Sequence, residues 1–221
     1  MARAAPIPEP TWDLSSTRRM GPRADLVRVF AERAARLGVQ VSCCDEAALP
    51  ARVAGLVATC RPPDGCAKVI IEPSLFCHAA IVAALGAHTR LLDPLDGDEA
   101  LFSADVGITG VKAAVAETGS LVCTSGTQQW RGLSLIPPVH VAIVRADQIV
   151  PDLLDVLAAP APDLPAALTF ISGPSKTADI EGILITGVHG PGHVHAVVLE
   201  QSGQSGDQPA TVPVHSDPDA T

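Results

Sequence analysis

The chain has 221 residues and a formal net charge of −9, a length that suits one α/β domain with a sizeable buried core. Its 15 Lys and Arg residues form no run that would track a phosphate backbone, so nucleic-acid binding is excluded as a function class. Apolar residues make up 47% of the chain but aromatics only 3%, with no Tyr, so the core must be built from Val, Leu, Ile and Ala, which favours sheets covered by helices.

Residues 1–22 carry Pro6, Pro8, Pro10 and Pro22 with few periodic apolar positions, and read as a mobile or surface-lying arm. Leu26, Phe30, Ala34 and Leu37 then recur at helical spacing, with Arg28, Glu32 and Arg36 on the other face and Gly38 as the stop. Residues 39–43 read as a strand, 45–59 as a helix with Pro50 in its first turn, 67–71 as a buried strand and 74–85 as a helix ended by Gly86. Strands alternating with helices of this length imply parallel pairing. Residues 87–104, with Asp93-Pro94 and Asp96-Gly97-Asp98, read as a loop-rich connection.

The second half has a different texture. Residues 106–108 read as a strand end, and Thr109 caps an expected helix over 111–116. Strands are expected at 119–124, 139–144, 167–171 and 194–199, a rigid apolar turn at 133–138, a short helix at 152–158 and a helical turn over 177–183. Residues 201–221 are rich in Gly, Ser, Gln, Asp and Pro and read as a disordered acidic tail. The expected organisation is a single α/β domain over 23–200, a mostly parallel open sheet flanked by helices.

No stretch reaches the roughly 18 apolar residues that span a bilayer. The pair Arg18-Arg19 is followed by Arg23, Asp25, Arg28, Glu32 and Arg33, where an export signal needs a hydrophobic region. The chain is therefore expected to be cytoplasmic, with no membrane span. Its six cysteines are Cys43, Cys44, Cys60, Cys66, Cys77 and Cys123, and they read as reduced, buried thiols rather than a disulfide framework. They lack the paired Cys-x-x-Cys spacing of zinc or iron–sulfur ligands, and no cofactor is expected.

Several segments combine residue types that carry chemistry. Gly107, Thr109 and Gly110 stand where a strand is expected to pass into a helix, an arrangement that gives either an anion cradle of N–H groups or a simple capped turn. Glu117, beside Thr118, Gly119 and Ser120, falls at the expected helix end, where the dipole disfavours a carboxylate; it is a candidate for proton transfer or nucleophilic attack, or a structural hydrogen-bond acceptor. Arg131 and His140 flank Pro137-Pro138, which fix the backbone entering a strand. The densest cluster is Ser172, Gly173, Pro174, Ser175, Lys176, Thr177, Ala178 and Asp179, a hydroxyl-rich expected helix start with a cation, suited to an anionic small molecule or to a well-made cap. His189 and Gly190, in Gly-Val-His-Gly-Pro-Gly, form a turn that presents an imidazole to an anion or carbonyl. His189, His193 and His195 are the alternative, a transition-metal set, though a Gly-Pro-Gly turn divides them and no nearby Cys completes it. No metal site is expected.

Taken in order, Ala116-Glu117-Thr118-Gly119-Ser120, Leu135-Ile136-Pro137-Pro138-Val139-His140, Ser172 to Glu181 and Gly187 to Gly192 resemble the signature of the LUD domain family, over roughly residues 23–200. Within that family the chain is similar to the short, cluster-free lactate utilization proteins of the C type. The resemblance implies a fold like that of the ribose-5-phosphate isomerase, glucosamine-6-phosphate deaminase and CoA-transferase superfamily. It also implies a part in oxidising L-lactate to pyruvate beside iron–sulfur lactate-utilization proteins, with this chain as the partner that carries no cluster. The expected ligand is a small organic acid or a phosphorylated molecule, held in one pocket by Arg131, Lys176, His189 and the N–H groups after Gly107 and Ser172, with Glu117 exchanging a proton. The alternative function is a free-standing enzyme acting through Glu117 on a phosphorylated or CoA-linked small molecule; a metal-binding module is the third.

Overall fold

In a computed structural model, residues 25–62, 65–126, 129–158, 165–177 and 184–200 are described. Helix α1 (Leu26–Arg36) starts where Asp25 accepts the Arg28 N–H, and it buries Phe30 and Ala34, so the apolar spacing and the capping carboxylate act together. Strand β1 (Val39–Cys44), helix α2 (Leu49–Thr59), strand β2 (Ala67–Ile71), helix α3 (His78–Ala84), strand β3 (Thr89–Leu92), helix α4 (Asp98–Ser103) and strand β4 (Val106–Gly110) follow. Pro50 sits in the first turn of α2, where its missing N–H costs nothing.

The chain then forms β5 (Ala113–Val115), β6 (Ser120–Ser125), the single helical turn α5 (Gly132–Leu135) and β7 (Val139–Arg145). Strand β8 (Ile149–Val150), helix α6 (Leu153–Ala158), strands β9 (Ala167–Ile171), β10 (Lys176–Thr177) and β11 (Ile185–Thr186), and the long β12 (His193–Leu199) complete it.

Six strands make one sheet in the order β1-β12-β7-β4-β2-β3, parallel throughout. Its central strands are buried on both faces, which is why β7 and β12 are rich in Val, Ile, Leu and Ala and are interrupted only by histidines before their last residues. On one face Val69, Ile71, Val141, Ile143 and Val197 pack with Leu49, Val53 and Val57 of α2 and Ile81 of α3. On the other, Ala142, Val144, Ala196 and Val198 pack with Phe30 and Ala34 of α1 and with Ala114 and Leu121. Those last two belong to a four-stranded mixed sheet, β8-β5-β6-β9, whose far face meets Val156 of α6. The architecture is thus α/β with a mostly parallel open sheet flanked by helices, and no helix among the described residues is long and apolar enough to cross a membrane.

The expected helix over 111–116 is a strand. Ala113, Ala114 and Val115 pair with Val122, Leu121 and Ser120, and an Ala-rich stretch with helical propensity is drawn into a sheet because all three residues are buried there. Thr109 accordingly lies inside β4 and caps nothing, and Glu117 stands in the β5–β6 turn rather than at a helix end. Residues 87–104, expected as loop, hold β3 and α4, and the helix expected from Ser74 begins only at His78. Thr177 lies in a two-stranded hairpin against Ile185, while residues 178–183, Asp179 among them, the arm over 1–22 and the tail over 201–221 lie outside the described residues, as do Arg23 and Ala24. The six cysteines are free thiols, but Cys43 and Cys66 are exposed rather than buried.

Candidate functional site

The chain leaves β2 towards the β3 edge and leaves β4 towards β7, so the crevice outside their carboxyl ends is a topological switch point, where open parallel sheets hold ligands. Glu72 follows β2 directly and is 7% exposed. Its Oε1 accepts from Ser74 Oγ at 2.6 Å and from Gln129 Nε2 at 3.2 Å, and its Oε2 accepts from the Gly110 N–H at 2.9 Å. Thr109, Lys112, Cys123, Trp130 and Arg131 share the crevice, which encloses about 20 Å³.

Beneath it lies a buried polar pair. Thr109 Oγ1 and His140 Nε2 are 2.9 Å apart, and His140 Nδ1 is buried with no hydrogen-bond partner. Burial, helped by nearby His195, pushes the His140 pKa down to about 4, so the ring is neutral at pH 7. Burial likewise pushes the Cys123 thiol up to about 12, so it is not a nucleophile.

A larger cavity, about 210 Å³, lies among the β9 end, the Ser-Gly-Pro-Ser loop and the Gly187–Gly192 turn. It is lined by Ser134, Thr169, Ser172, Ser175 and His189, with Phe170, Ile171, Leu135, Pro191 and Val194 as apolar walls and Gly173 and Gly190 on the backbone side. Tight packing builds it. The Ser175 N–H donates to Pro191 O at 2.9 Å and the Gly187 N–H to Ser175 O at 2.8 Å, while the Gly192 N–H reaches Pro138 O at 2.9 Å. Gly173 has φ +101°, and a Cβ there would stand 2.5 Å from Leu37 O, so only glycine fits this turn.

Of the residues nominated from the sequence, Ser172, Gly173, Ser175, His189 and Gly190 meet in the larger cavity, and Thr109 and Arg131 meet in the switch-point crevice. The single expected pocket is therefore two, with Ser134 of α5 lining both. Glu117, Thr118, Gly119, Lys176 and Thr177 line neither, nor does Gly107. Gly107 lies in mid-sheet beneath α5, and Gly119 (φ +71°) lets the β5–β6 turn press against Ala34 of α1. Thr118 and Ser120 reach the larger cavity indirectly, through hydroxyl contacts from Thr118 to Ser120 at 2.8 Å and from Ser120 to Ser172 at 2.7 Å. Lys176 points from an exposed hairpin. Among the described residues no group of three or more His, Cys, Asp or Glu is arranged to hold a metal ion.

Glu72, Lys112, Gln129, Trp130 and Ser134 were not legible as site residues. The available signal was a strand over 67–71 ending directly on an acidic residue, at the same carboxyl edge that singled out Gly107 to Gly110.

The model of the LUD domain family matches residues 27–199. Over 180 residues the chain is 31% identical to a Deinococcus radiodurans protein named lactate utilization protein C, covering 80% of this chain and 81% of that one. Over 103 residues it is 41% identical to the lactate utilization protein C of Halalkalibacterium halodurans, covering 44% of this chain but only 45% of that protein's length. Among solved structures it resembles a DUF162 family protein from Deinococcus radiodurans, with a TM-score of 0.59, 25% identity and coverage of 82% of this chain and 100% of that one.

Proposed function

The chain belongs to the LUD domain family, and from that premise we propose that it is a cytoplasmic component of bacterial L-lactate oxidation to pyruvate, working beside iron–sulfur partner proteins. In this reading it carries no cluster itself and binds a small carboxylate. The names of its relatives support lactate utilization, and the oxidation to pyruvate beside iron–sulfur proteins is what the family resemblance implies; the carboxylate site rests on one observation, the cavity of about 210 Å³ that gathers Ser172, Ser175 and His189 from distant segments.

That cavity suits a small organic acid. Ser134, Thr169, Ser172, Ser175 and the His189 ring supply hydrogen bonds on one side, and Phe170, Ile171 and Val194 supply an apolar wall for a methyl group on the other. Only His189 carries a potential positive charge there, so recognition is by hydrogen bonding rather than by an ion pair. The alternative, catalysis through Glu117, has no support from geometry, because neither cavity is lined by that residue.

Calorimetric titration of the full chain with L-lactate and with pyruvate tests the site. Saturable binding of one of them, weakened about tenfold or more by His189→Ala and by Ser175→Ala, is the expected result. Binding indifferent to both substitutions, or no binding of either acid, overturns it. Co-purification from lactate-grown cells tests the partners: iron–sulfur proteins are expected with the tagged chain, and their absence removes that part of the reading.

A further inference from the structure

Glu72 is a buried carboxylate that the function proposed above leaves without a task. A carboxylate offers about four acceptor positions on its two oxygens. Ser74 and Gln129 occupy Oε1, whereas among the described residues Oε2 accepts only the Gly110 N–H, which leaves one position on Oε2 open to a ligand. All three donors are neutral. Lys112 and Arg131 line the same crevice and are exposed, yet among the described residues neither forms an ion pair with Glu72, and the ion pairs found lie elsewhere. A buried acceptor with an open position thus faces a switch-point crevice that also bears two uncommitted cations.

We propose that this crevice is a second ligand site, which takes a small hydroxylated anion. The ligand's hydroxyl donates to Glu72 Oε2, and its acid group lies at the rim between Arg131 and Lys112. The half-buried Trp130 indole flanks the carbon skeleton. The enclosed space of about 20 Å³ admits one functional group, so the hydroxyl end enters and the acid end stays with the exposed cations. A hydroxyl is required because a second carboxylate oxygen in that position would be repelled by Glu72. The proposal does not rest on the role of the larger cavity, since it concerns different residues.

The test uses two probe pairs that differ only by a hydroxyl, L-lactate against propionate and glycerol 3-phosphate against propyl phosphate, titrated calorimetrically into the full chain. The hydroxylated member of at least one pair is expected to bind, with its deoxy partner about tenfold or more weaker. Which pair responds tells a carboxylate from a phosphate. Arg131→Ala, at an exposed position, should leave the melting temperature unchanged and weaken binding about tenfold, and Glu72→Gln should abolish the preference for the hydroxyl. Failure of both hydroxylated probes to bind, equal binding of the deoxy partners, or indifference to Arg131→Ala overturns the proposal. Binding lost in His189→Ala but kept in Arg131→Ala also overturns it, while leaving the larger cavity as the carboxylate site.

Discussion

Replacing Gly107 by Ala tests whether the two cavities share one support. A Cβ at this position would stand 2.0 Å from the carbonyl oxygen of Leu133 and 3.1 Å from both Leu133 C and Pro137 Cγ. Non-bonded heavy atoms rest about 3.5 Å apart, so α5 has to retreat by more than ~1 Å. Because the obstacle is helix backbone, no side-chain rotation relieves it. Overpacking of this kind costs about 3 kcal/mol, and the entropy lost from the unfolded chain returns about 0.4–1 kcal/mol, leaving a net destabilisation of roughly 2 kcal/mol. For a chain of this size that lowers the melting temperature by about 4–8 °C, read by calorimetry or circular dichroism. Arg131 immediately precedes α5 and Ser134 lines both cavities, so ligand affinity at each should fall as well. A melting temperature equal to or above that of the wild type would refute the reasoning.

Three further outcomes follow from the buried polar groups. His140 is held neutral with a pKa of about 4, below its unfolded value, so the unfolded chain binds more protons between pH 6.5 and 4. Its contribution to stability is complete above pH 6.5 and is lost as pH falls towards 4, by about 3 kcal/mol; urea titrations across that range should show the slope, and His140→Gln should flatten it. Ser120→Ala removes the hydroxyl joining Thr118 to Ser172 and should cost about 1 kcal/mol by urea unfolding with an unchanged slope, whereas a loss of several kcal/mol would show that the contact is part of a larger network. Thiol labelling at neutral pH should mark exposed Cys66 first and Cys43 slowly, since partial desolvation of its sulfur, although the residue as a whole is exposed, and the neighbouring Glu200 raise the Cys43 thiol to about 11. Cys77 and Cys123 should react only on unfolding, and native-state labelling of Cys123 would contradict its burial.

The parallel sheet was legible because its strands and crossover helices follow physical periodicities: Leu26, Phe30 and Ala34 repeat along one helix face, and residues 67–71 and 139–144 are short, mainly apolar runs, each with a single polar residue, Lys68 and His140. The mixed sheet was not. Residues 113–115 are apolar throughout and show no alternation, and their pairing with residues 120–122, formed after the turn at Glu117, and with Ile149 and Val150 makes them a strand. The same local ambiguity placed Glu117 at a helix end and drew it into a site it does not line. Motif density directed attention to Ser172, Ser175 and His189, which the fold brings into one cavity, since two glycine-bearing loops that must stack closely leave their mark in composition. Sequence separation hid the rest: Glu72 meets Gln129 and Gly110 only through the order of strands, which no spacing along the chain encodes.

The central claim, that this chain serves L-lactate oxidation through the cavity of Ser172, Ser175 and His189, is tested most directly by growth. Deleting its gene should abolish growth on L-lactate while sparing growth on pyruvate, with rescue by the wild-type chain and not by the double substitution Ser175→Ala, His189→Ala expressed at the same level. Undiminished growth of the deletion strain on L-lactate, or full rescue by the doubly substituted chain, would contradict the account.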